Sequence, residues 1–363
     1  MKKFVSLLMA MLMVLSVCSF AVAENADLAG KTIDELLALA KEEGGHLETV
    51  GMPNGWAAWE ESWARFTEKY GFTHYDTDMT SAEELAIFKT EGEHGTKDLG
   101  DVGIAFTKRA VDEDLLQGYK VSTWDSIPDW AKDPEGRWYI SYTGTSTFLV
   151  NTTLTEGVVP TSWKELMDTD LRVSVGNVPA GAASQVAVLC AAYAMGGDMD
   201  NVQPGIDYFA KLAEQGRLDP GDTTQARVNN GEIEMMVSGW DYTTLPWRDY
   251  LNNGDSGYKM VALIPSDGAI TSGYGLVFNK FSPHPATTAL ALEYLLSDEG
   301  QIDRARGYAR PIRNVELPEE LANMSLPAEQ YANAIPVDDV VKFDAACAKI
   351  IELWEEEVVP LMY

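Results

Sequence analysis

The chain has 363 residues, with 27 Lys and Arg against 56 Asp and Glu, and a formal net charge of −29 at pH 7. That balance argues against nucleic acid or anionic lipid as a partner, because both are bound through patches of Lys and Arg. The length exceeds what one hydrophobic core usually serves, and no long Pro-, Gly- or Ser-rich linker is present, so we expect two lobes connected by strands.

The first predicted element is a secretory signal peptide at residues 1–23. Two lysines precede an apolar run at 4–20, and "AVA" at 21–23 has the small-x-small pattern of a cleavage site. An uncleaved membrane anchor is the alternative, although the run is slightly short for a spanning helix. Cys18 in "LSVC" is similar to a lipid-modified cysteine, but Val17 stands where such motifs have Gly, Ala or Ser. We expect cleavage and a location in the periplasm or at the extracellular face of the cell envelope.

Helices and strands then alternate over residues 32–106. The predicted elements are a helix from a Thr32–Glu35 capping box to Gly44, a strand at 46–51, a helix at 55–71, a strand ending at Asp78, a helix with a Ser81–Glu84 capping box, and a strand at 100–106. Trp59, Trp63 and Phe66 follow the helical period and should be buried. The alternation is typical of an α/β fold, a mostly parallel sheet flanked by helices.

The loops after these strands contain the first candidate binding residues, because ligands of such sheets bind beyond the carboxyl ends of the strands. These candidates are Asn54, Trp56, Asp78, Ser81 and the residues just after Phe106. Ser81 has the alternative role of a helix cap. Asp76 and Asp78 could suggest a metal, but no second group of ligands accompanies them, so no metal site is predicted.

A second series covers the rest of the chain. The predicted elements are two β-rich runs at 137–151 joined at Gly144, a short helix at 161–167, a strand at 172–178, a helix opening at 181–184, helices at 204–216 and 223–231, strands at 232–240, 258–268 and 273–279, and a helix at 284–301. One long amphipathic helix at 337–359 should bury Val341, Cys347, Ile351, Trp354 and Val358.

Cys190 and Cys347 both lie in alanine-rich helical sequence. Free buried thiols are the expectation there, although one disulfide remains open in an exported protein. No C-x-x-C pair occurs and the four histidines are scattered, so no structural zinc and no cofactor are expected.

These segments resemble the extracytoplasmic solute-binding proteins of ABC importers, in the two-lobed periplasmic-binding-protein class with two crossover strands. The most specific segment is "SGYGLVFNKFSPHPATTALALEYLLSDEGQ" at 272–301, which looks like that family's return strand and a helix ending in L-S-x-E-G-Q. "DVGIAF", "FLVNTTL" with "PTSWKEL", and "NNGEIEMMVSGWDY" at 229–242 are similar as well. The closest branch holds ferric-iron, thiamine, polyamine, phosphonate and sugar-phosphate binders.

The resemblance implies lobe one at 28–143 plus 275–363, lobe two at 144–274, and a solute held between them. It further implies delivery of the solute to a membrane permease that a cytoplasmic ATPase drives. We expect a monomer.

"GWDYTTLPW" at 239–247 contains the strongest site candidates, Trp240, Asp241 and Tyr242. The strand before them delivers their side chains to the rim of the second lobe, which in the resembled family faces the cleft. Aromatic packing with a helix-capping aspartate is the alternative. Trp247, past Pro246, is expected to be structural.

Five further residues are candidates with open alternatives. Tyr142 and Thr143 near the first crossover and Tyr274 near the second could close over a ligand or fill contacts between lobes. Ser184 could add a hydroxyl to a helix start that meets an anion, or the small residues there could simply pack tightly. Asp267 is more readily a turn residue than a carboxylate of the cleft.

The charge of the solute is open from the sequence. The rings of Trp56 and Trp240 with the carboxylate of Asp241 favour a cation, and the helix start at 181–184 favours an anion. Together they suit a zwitterion, such as an aminoalkyl phosphonate or an amino-acid-like solute. Bare ferric iron is less attractive, because the paired-tyrosine motif typical of iron binders is absent. Arg310 and Arg313 should pair with surface acids.

Motifs of common enzymes are missing from the sequence, including G-x-S-x-G, G-x-x-x-x-G-K, H-E-x-x-H and G-x-G-x-x-G. The chain is therefore not expected to be an enzyme. A secreted carboxylate-dependent glycoside hydrolase is the alternative, although no spacing singles out an acid pair.

Overall fold

A computed structural model of the protein describes residues 28–54 and 56–362. The predicted signal peptide and Cys18 lie outside the described residues. Within residues 28–54 and 56–362, no helix has the length and apolar character that crossing a membrane requires.

The first part of the chain alternates between helices and strands, as predicted. Its elements are α1 (Ile33–Glu42), β1 (His46–Val50), α2 (Trp59–Tyr70), β2 (Thr73–Thr77), α3 (Ser81–Glu91), β3 (Leu99–Gly103) and α4 (Ile104–Asp112). β1 pairs in parallel with both β2 and β3. Trp59, Trp63 and Phe66 are buried on the inner face of α2, which confirms their predicted core position.

The middle of the chain begins with a long strand. Its elements are β4 (Trp138–Asn151), α5 (Trp163–Met167), β5 (Val173–Ser174), α6 (Ala182–Ala194), α7 (Gln203–Glu214), β6 (Leu218–Asp219), α8 (Gln225–Asn229), β7 (Met235–Trp240), α9 (Asp241–Asn253) and β8 (Met260–Leu263). β5 pairs in parallel with β6 and β7.

The last part returns through a second long strand. Its elements are β9 (Ile270–Phe278), α10 (Pro285–Leu295), α11 (Asp298–Arg306), β10 (Arg310–Pro311), α12 (Glu319–Ala322), α13 (Ala328–Tyr331), β11 (Ile335–Pro336) and α14 (Val340–Leu353), followed by a π-helical turn at Trp354–Val358.

The described strands form one curled sheet in the order β2-β1-β3-β9-β4-β7-β5-β6. β4 connects its two halves, because residues 138–145 pair with β9 and residues 146–151 pair with β7 and β8. The α/β class predicted from the sequence is confirmed.

Three predicted element boundaries are wrong. The capping box of α3 is formed by Thr80 and Glu83, whose side chains bond each other's backbone, so Ser81 is already inside the helix. The strand predicted at 100–106 ends at Gly103, where α4 begins. The helix predicted at 284–301 is interrupted at Ser297, whose hydroxyl accepts from Gly300 N–H and caps α11.

The break predicted at Gly144 is also wrong, because β4 runs through it without interruption. The glycine is needed for space, since a Cβ added there would overlap the ring of Tyr242.

The burial of the tail helix α14 and the turn after it was predicted in part: Trp354 and Val358 are buried as expected, and Cys347 and Ile351 are half-buried. Val341 is 54% exposed, whereas Phe343, Ala346 and Ile350 are buried. α14 contacts α4 and also α6 and α7, so two sets of neighbours determine which of its side chains are buried. Cys190 and Cys347 are both free thiols.

Candidate functional site

A cavity of about 360 Å³ lies where the two halves of the sheet meet. Its walls come from the start of α3, the β3–α4 junction, the start of α6, the end of β7, the middle of β9 and one face of α14. The lining residues are Ser81, Gly103, Ile104, Ala105, Phe106, Ala180, Ala182, Gln185, Val186, Trp240, Ser272, Gly273, Tyr274, Phe343, Asp344, Cys347, Ala348 and Ile351.

Two of these walls stand at carboxyl ends of strands, which is the expected position of a binding site in an α/β sheet. β3 ends at Gly103 and β7 ends at Trp240, and each passes directly into a helix. The N-cap residues of α4, α6 and α9 are Gly103, Gly181 and Trp240, and none of them caps its helix with a side chain. The local sequence therefore brings ring faces, small residues and helix starts to one space.

Five aromatic rings form a connected group at the cavity. The ring of Trp240 stacks on Tyr242 with centroids 6.4 Å apart, and Tyr242 lies 5.8 Å from Trp56. Trp56 lies edge-on to Tyr274 at 5.2 Å, and Tyr274 stacks on Tyr142 at 6.1 Å. Trp240 and Tyr274 line the cavity, while the other three rings support them.

Hydrogen bonds fix the supporting rings. The indole Nε1 of Trp56 donates to the Tyr142 hydroxyl at 2.9 Å, and that hydroxyl donates to Oδ2 of Asp101 at 2.9 Å. Burial raises the pKa of Asp101 to about 7, although the Tyr142 bond and the charge of Arg304 oppose the rise.

A second buried carboxyl group, Glu84, lies beside Asp101. Its Oε2 accepts from the backbone N–H of Asp101 at 3.0 Å. Burial, together with the Asp101 charge, raises the pKa of Glu84 to about 9. The space exists because residue 100 is glycine, where an added Cβ would lie 2.7 Å from that carboxylate.

Arg304 is the buried cation of this layer. Its guanidinium lies 3.8 Å from the centroid of the Trp59 ring, and it donates to the Ser62 hydroxyl and the Ala58 carbonyl oxygen. Burial lowers the pKa of Arg304 to about 10, against the opposing charge of Asp101.

Asp241 is completely buried behind the aromatic rings. Its Oδ1 accepts from the N–H groups of Thr145 at 3.1 Å and Tyr242 at 2.9 Å, which ties β4 to the start of α9. Burial raises its pKa to about 6, while Arg310 and Tyr331 oppose the rise. Arg310 lies 3.8 Å from the Tyr331 ring centroid.

The structure brings six of the predicted site residues together. Ser81, Trp240 and Tyr274 line the cavity, and Trp56, Tyr142 and Tyr242 complete the aromatic group.

The other six predicted residues do not line the cavity. Thr143 and Ser184 are buried, Asp241 lies in the layer behind, and Asn54 and Asp78 are exposed in their loops. Asp267 accepts from the N–H groups of Trp163 and Lys164 and so caps α5. A ligand-binding role for the twelve residues stays a prediction.

The contribution of α14 to the cavity wall was not predicted from the sequence. Phe343, Cys347 and Ile351 recur every four residues on the cavity side, beside Asp344 and Ala348. The sequence signal for this wall is the width of the apolar surface of α14. Ala346, Ile350 and Leu353 form a second apolar row, so the helix has more than one packing partner.

The other charged candidates have local partners. Asp76 accepts from the Thr49 hydroxyl at 2.7 Å and the Met52 N–H at 3.1 Å, so it connects β2 to β1. Arg313 forms an ion pair with Asp298 at 2.8 Å, as expected. Across the part of the chain that the structure describes, no group of three His, Cys, Asp or Glu side chains could hold a metal ion.

Comparison with known proteins identifies the family to which the chain belongs. The family model described as bacterial extracellular solute-binding protein matches residues 95–342. No curated protein matches the chain.

Several solved structures share the fold. The periplasmic binding protein AfuA from Actinobacillus pleuropneumoniae, with fructose 6-phosphate bound, is 18% identical; 86% of this chain and 98% of that one are covered, with a TM-score of 0.68. Iron-bound HitA from Pseudomonas aeruginosa is 18% identical, with 86% and 98% coverage and a TM-score of 0.66. The substrate-binding protein of an ABC transporter from Agrobacterium tumefaciens is 14% identical, with 86% and 94% coverage and a TM-score of 0.70. The predicted two-lobed periplasmic-binding-protein fold is confirmed.

Proposed function

Because this chain belongs to the bacterial extracellular solute-binding proteins and is the solute-binding component of an ABC-type importer, we propose that it captures a small charged or zwitterionic solute in the cavity described above. The family assignment agrees with the resemblance found in the sequence and gives no support to a glycoside hydrolase. One observation supports the cavity as the site: its walls come from both halves of the sheet. A solute held there contacts both halves, so its binding stabilises the closed form.

We place lobe one at 28–143 plus 275–363 and lobe two at 144–274. Pairing of β4 with β9 below residue 146, and with β7 and β8 from there on, supports a boundary in β4. α14 contacts α4 as well as α6 and α7, so it bridges the proposed lobes.

The solutes of the structural neighbours differ in chemistry, since one was solved with fructose 6-phosphate and another with iron. For this chain we favour an amino-acid-like or aminoalkyl phosphonate solute. Ring faces attract a cationic group, and helix starts without side-chain caps attract an anionic one. Ferric iron is disfavoured, because Tyr274 is the one tyrosine among the described residues that line the cavity.

The remaining roles follow from the family. We propose that the chain is exported, that its signal peptide is removed after residue 23, and that it works as a monomer in the periplasm or outside the cell. Its partner would be a membrane permease, with no role for nucleic acid and no catalysis.

A thermal-shift screen of the mature protein tests the proposal. The panel contains polyamines, aminoalkyl phosphonates, amino acids, sugar phosphates, thiamine and ferric citrate. A true solute at a hundredfold excess over its Kd stabilises the folded state by about 2.7 kcal/mol. The proposal fails if no solute raises the melting temperature.

A further inference from the structure

The charge of the cavity lining is unusual for a site that would hold an anion. Among the described residues that line it, Asp344 is the one charged side chain, and no Lys, Arg or His contributes. Asp344 is exposed at the cavity mouth, where it can meet an entering solute. A bound anion would therefore meet a carboxylate and no cationic side chain.

Among the described residues, the layer behind the rings brings no cationic side chain to the cavity wall. Asp101 and Asp241 each keep one carboxylate oxygen, Oδ1 and Oδ2 respectively, without a hydrogen-bond partner in the described part of the chain. The buried cation of this layer, Arg304, lies against Trp59 and 6.0 Å from the Tyr142 ring, and it does not line the cavity.

The helix that carries Asp344 crosses the cavity. α14 contacts α4 on one side and α6 on the other, and Phe343, Cys347 and Ile351 form the apolar part of its inner face. The opposite wall presents Trp240 and Tyr274, whose ring faces attract cations. An apolar, ring-lined space with one carboxylate fits an ammonium group that carries carbon substituents.

We propose that α14 is the specificity-determining wall of this cavity and that Asp344 pairs with the cationic group of the solute, an organic ammonium whose apolar part contacts Phe343, Trp240 and Tyr274. The inference rests on the proposed function and narrows it to solutes that carry a positive charge.

Charge is tested first, with probes of matched shape. Tetramethylammonium, choline and putrescine are titrated into the mature protein by calorimetry, beside phosphate, fructose 6-phosphate and 3,3-dimethylbutan-1-ol, the neutral isostere of choline. We expect an ammonium probe to bind best and the neutral isostere to bind at least about tenfold more weakly than choline. Strongest binding by an anion, or equal binding of choline and its isostere, overturns this inference but leaves the proposed function intact. Absence of binding by every probe and by every solute of the wider panel contradicts both.

The role of α14 is tested with two groups of variants, the first of which changes charge. Asp344→Asn should weaken the best ammonium probe about fivefold to tenfold, and Asp344→Lys should weaken it further, because one unit charge at the mouth is removed or reversed. Glu355→Gln removes an exposed carboxylate of the following turn that does not line the cavity, and should leave the affinity unchanged. Unchanged affinity in both Asp344 variants refutes the pairing.

The second group blocks space instead of changing charge. Ala348 lines the cavity and Ala345 does not, yet both are exposed on α14, so either accepts a larger side chain without disturbing the core. Ala348→Trp should abolish binding of the probe, and Ala345→Trp should leave it unchanged. If Ala348→Trp binds as well as the parent protein, α14 is not a wall of the occupied site.

Discussion

The surface of the cavity and the layer directly behind it are built from opposite kinds of side chain. The surface consists mainly of small and apolar residues and includes four aromatic side chains, Phe106, Trp240, Tyr274 and Phe343. The layer behind contains Glu84, Asp101 and Arg304, all almost completely buried. Conspicuous chemistry in a sequence can therefore belong to the support of a cavity, while inconspicuous residues form the proposed binding surface.

We expect the largest effect, a loss of stability, from removing Arg304, the cation of the supporting layer. Arg304→Met removes a buried guanidinium that contacts the Trp59 ring and donates to Ser62 and Ala58, and we expect a loss of about 3 kcal/mol of stability. Chemical denaturation measures it. Because the charge of Arg304 favours ionised Asp101, the double variant with Asp101→Asn should recover part of the loss. A single variant as stable as the parent protein would contradict a stabilising role for Arg304.

A change at the surface should instead affect binding. Trp240→Ala removes a half-buried ring from the cavity wall, and we expect solute affinity to fall about 30-fold or more, as for an anchor residue. Trp247→Ala is the matched control, because Trp247 packs in a separate core cluster and should alter stability alone. Equal affinity losses in the two variants would contradict the claim that Trp240 contacts the solute and Trp247 does not.

The supporting layer should also make stability depend on pH. The pKa values of Glu84 and Asp101 are raised by burial to about 9 and about 7, from ordinary values of 4.5 and 3.8. The stabilising contribution of these two groups is therefore full below their ordinary pKa values and is lost as pH rises toward 9, because the unfolded chain releases these protons first. We expect the free energy of unfolding to fall by about 1 kcal/mol per pH unit across the neutral range.

Glu84→Gln isolates this dependence. The amide keeps an oxygen for the Asp101 N–H and cannot ionise, so its unfolding free energy should vary less with pH than that of the parent protein. Denaturation curves at a series of pH values make the comparison. Identical slopes would show that Glu84 is ionised in the folded protein.

We expect the smallest effect from Asp241→Asn, a variant that distinguishes between two roles for Asp241. A carboxylate that contacts the solute predicts a strong loss of affinity for a cationic ligand in Asp241→Asn. A carboxylate that ties Thr145 to Tyr242 predicts a stability loss of about 1–2 kcal/mol with affinity nearly unchanged. We expect the second result, because Asp241 is fully buried. Calorimetric titration and denaturation of the same variant separate the two.

The fold was largely predictable because local signals agreed with the tertiary structure. Trp59, Trp63 and Phe66 follow the helical period, and their burial follows from that period alone. The cap of α3 was not predictable in register, since Thr80 and Ser81 each precede a glutamate by three residues. Local rules give no means to choose between two such neighbours.

Three of the predicted residues, Ser81, Trp240 and Tyr274, line the cavity, and the prediction was most direct where a residue ends a strand. Trp240 lines the cavity because β7 stops there, and the sequence shows that stop. The wall formed by α14 depends on contacts with α4 and α6, which are distant in sequence. The role of Gly144 was not predictable for the same reason. The ring of Tyr242, which is distant in sequence, leaves no room for a side chain at residue 144, and no turn requires the glycine.

The free thiol of Cys347 gives the cavity a natural point of chemical attachment. Cys190 is sealed within the core, so a thiol-reactive fluorophore would attach to the mature protein at one place in the cavity wall. Burial raises the pKa of the Cys347 thiol to about 12, so coupling would be slow and would need alkaline conditions. Once attached, the dye would sense occupancy directly, and the protein would become an optical sensor for its own cargo without an engineered cysteine.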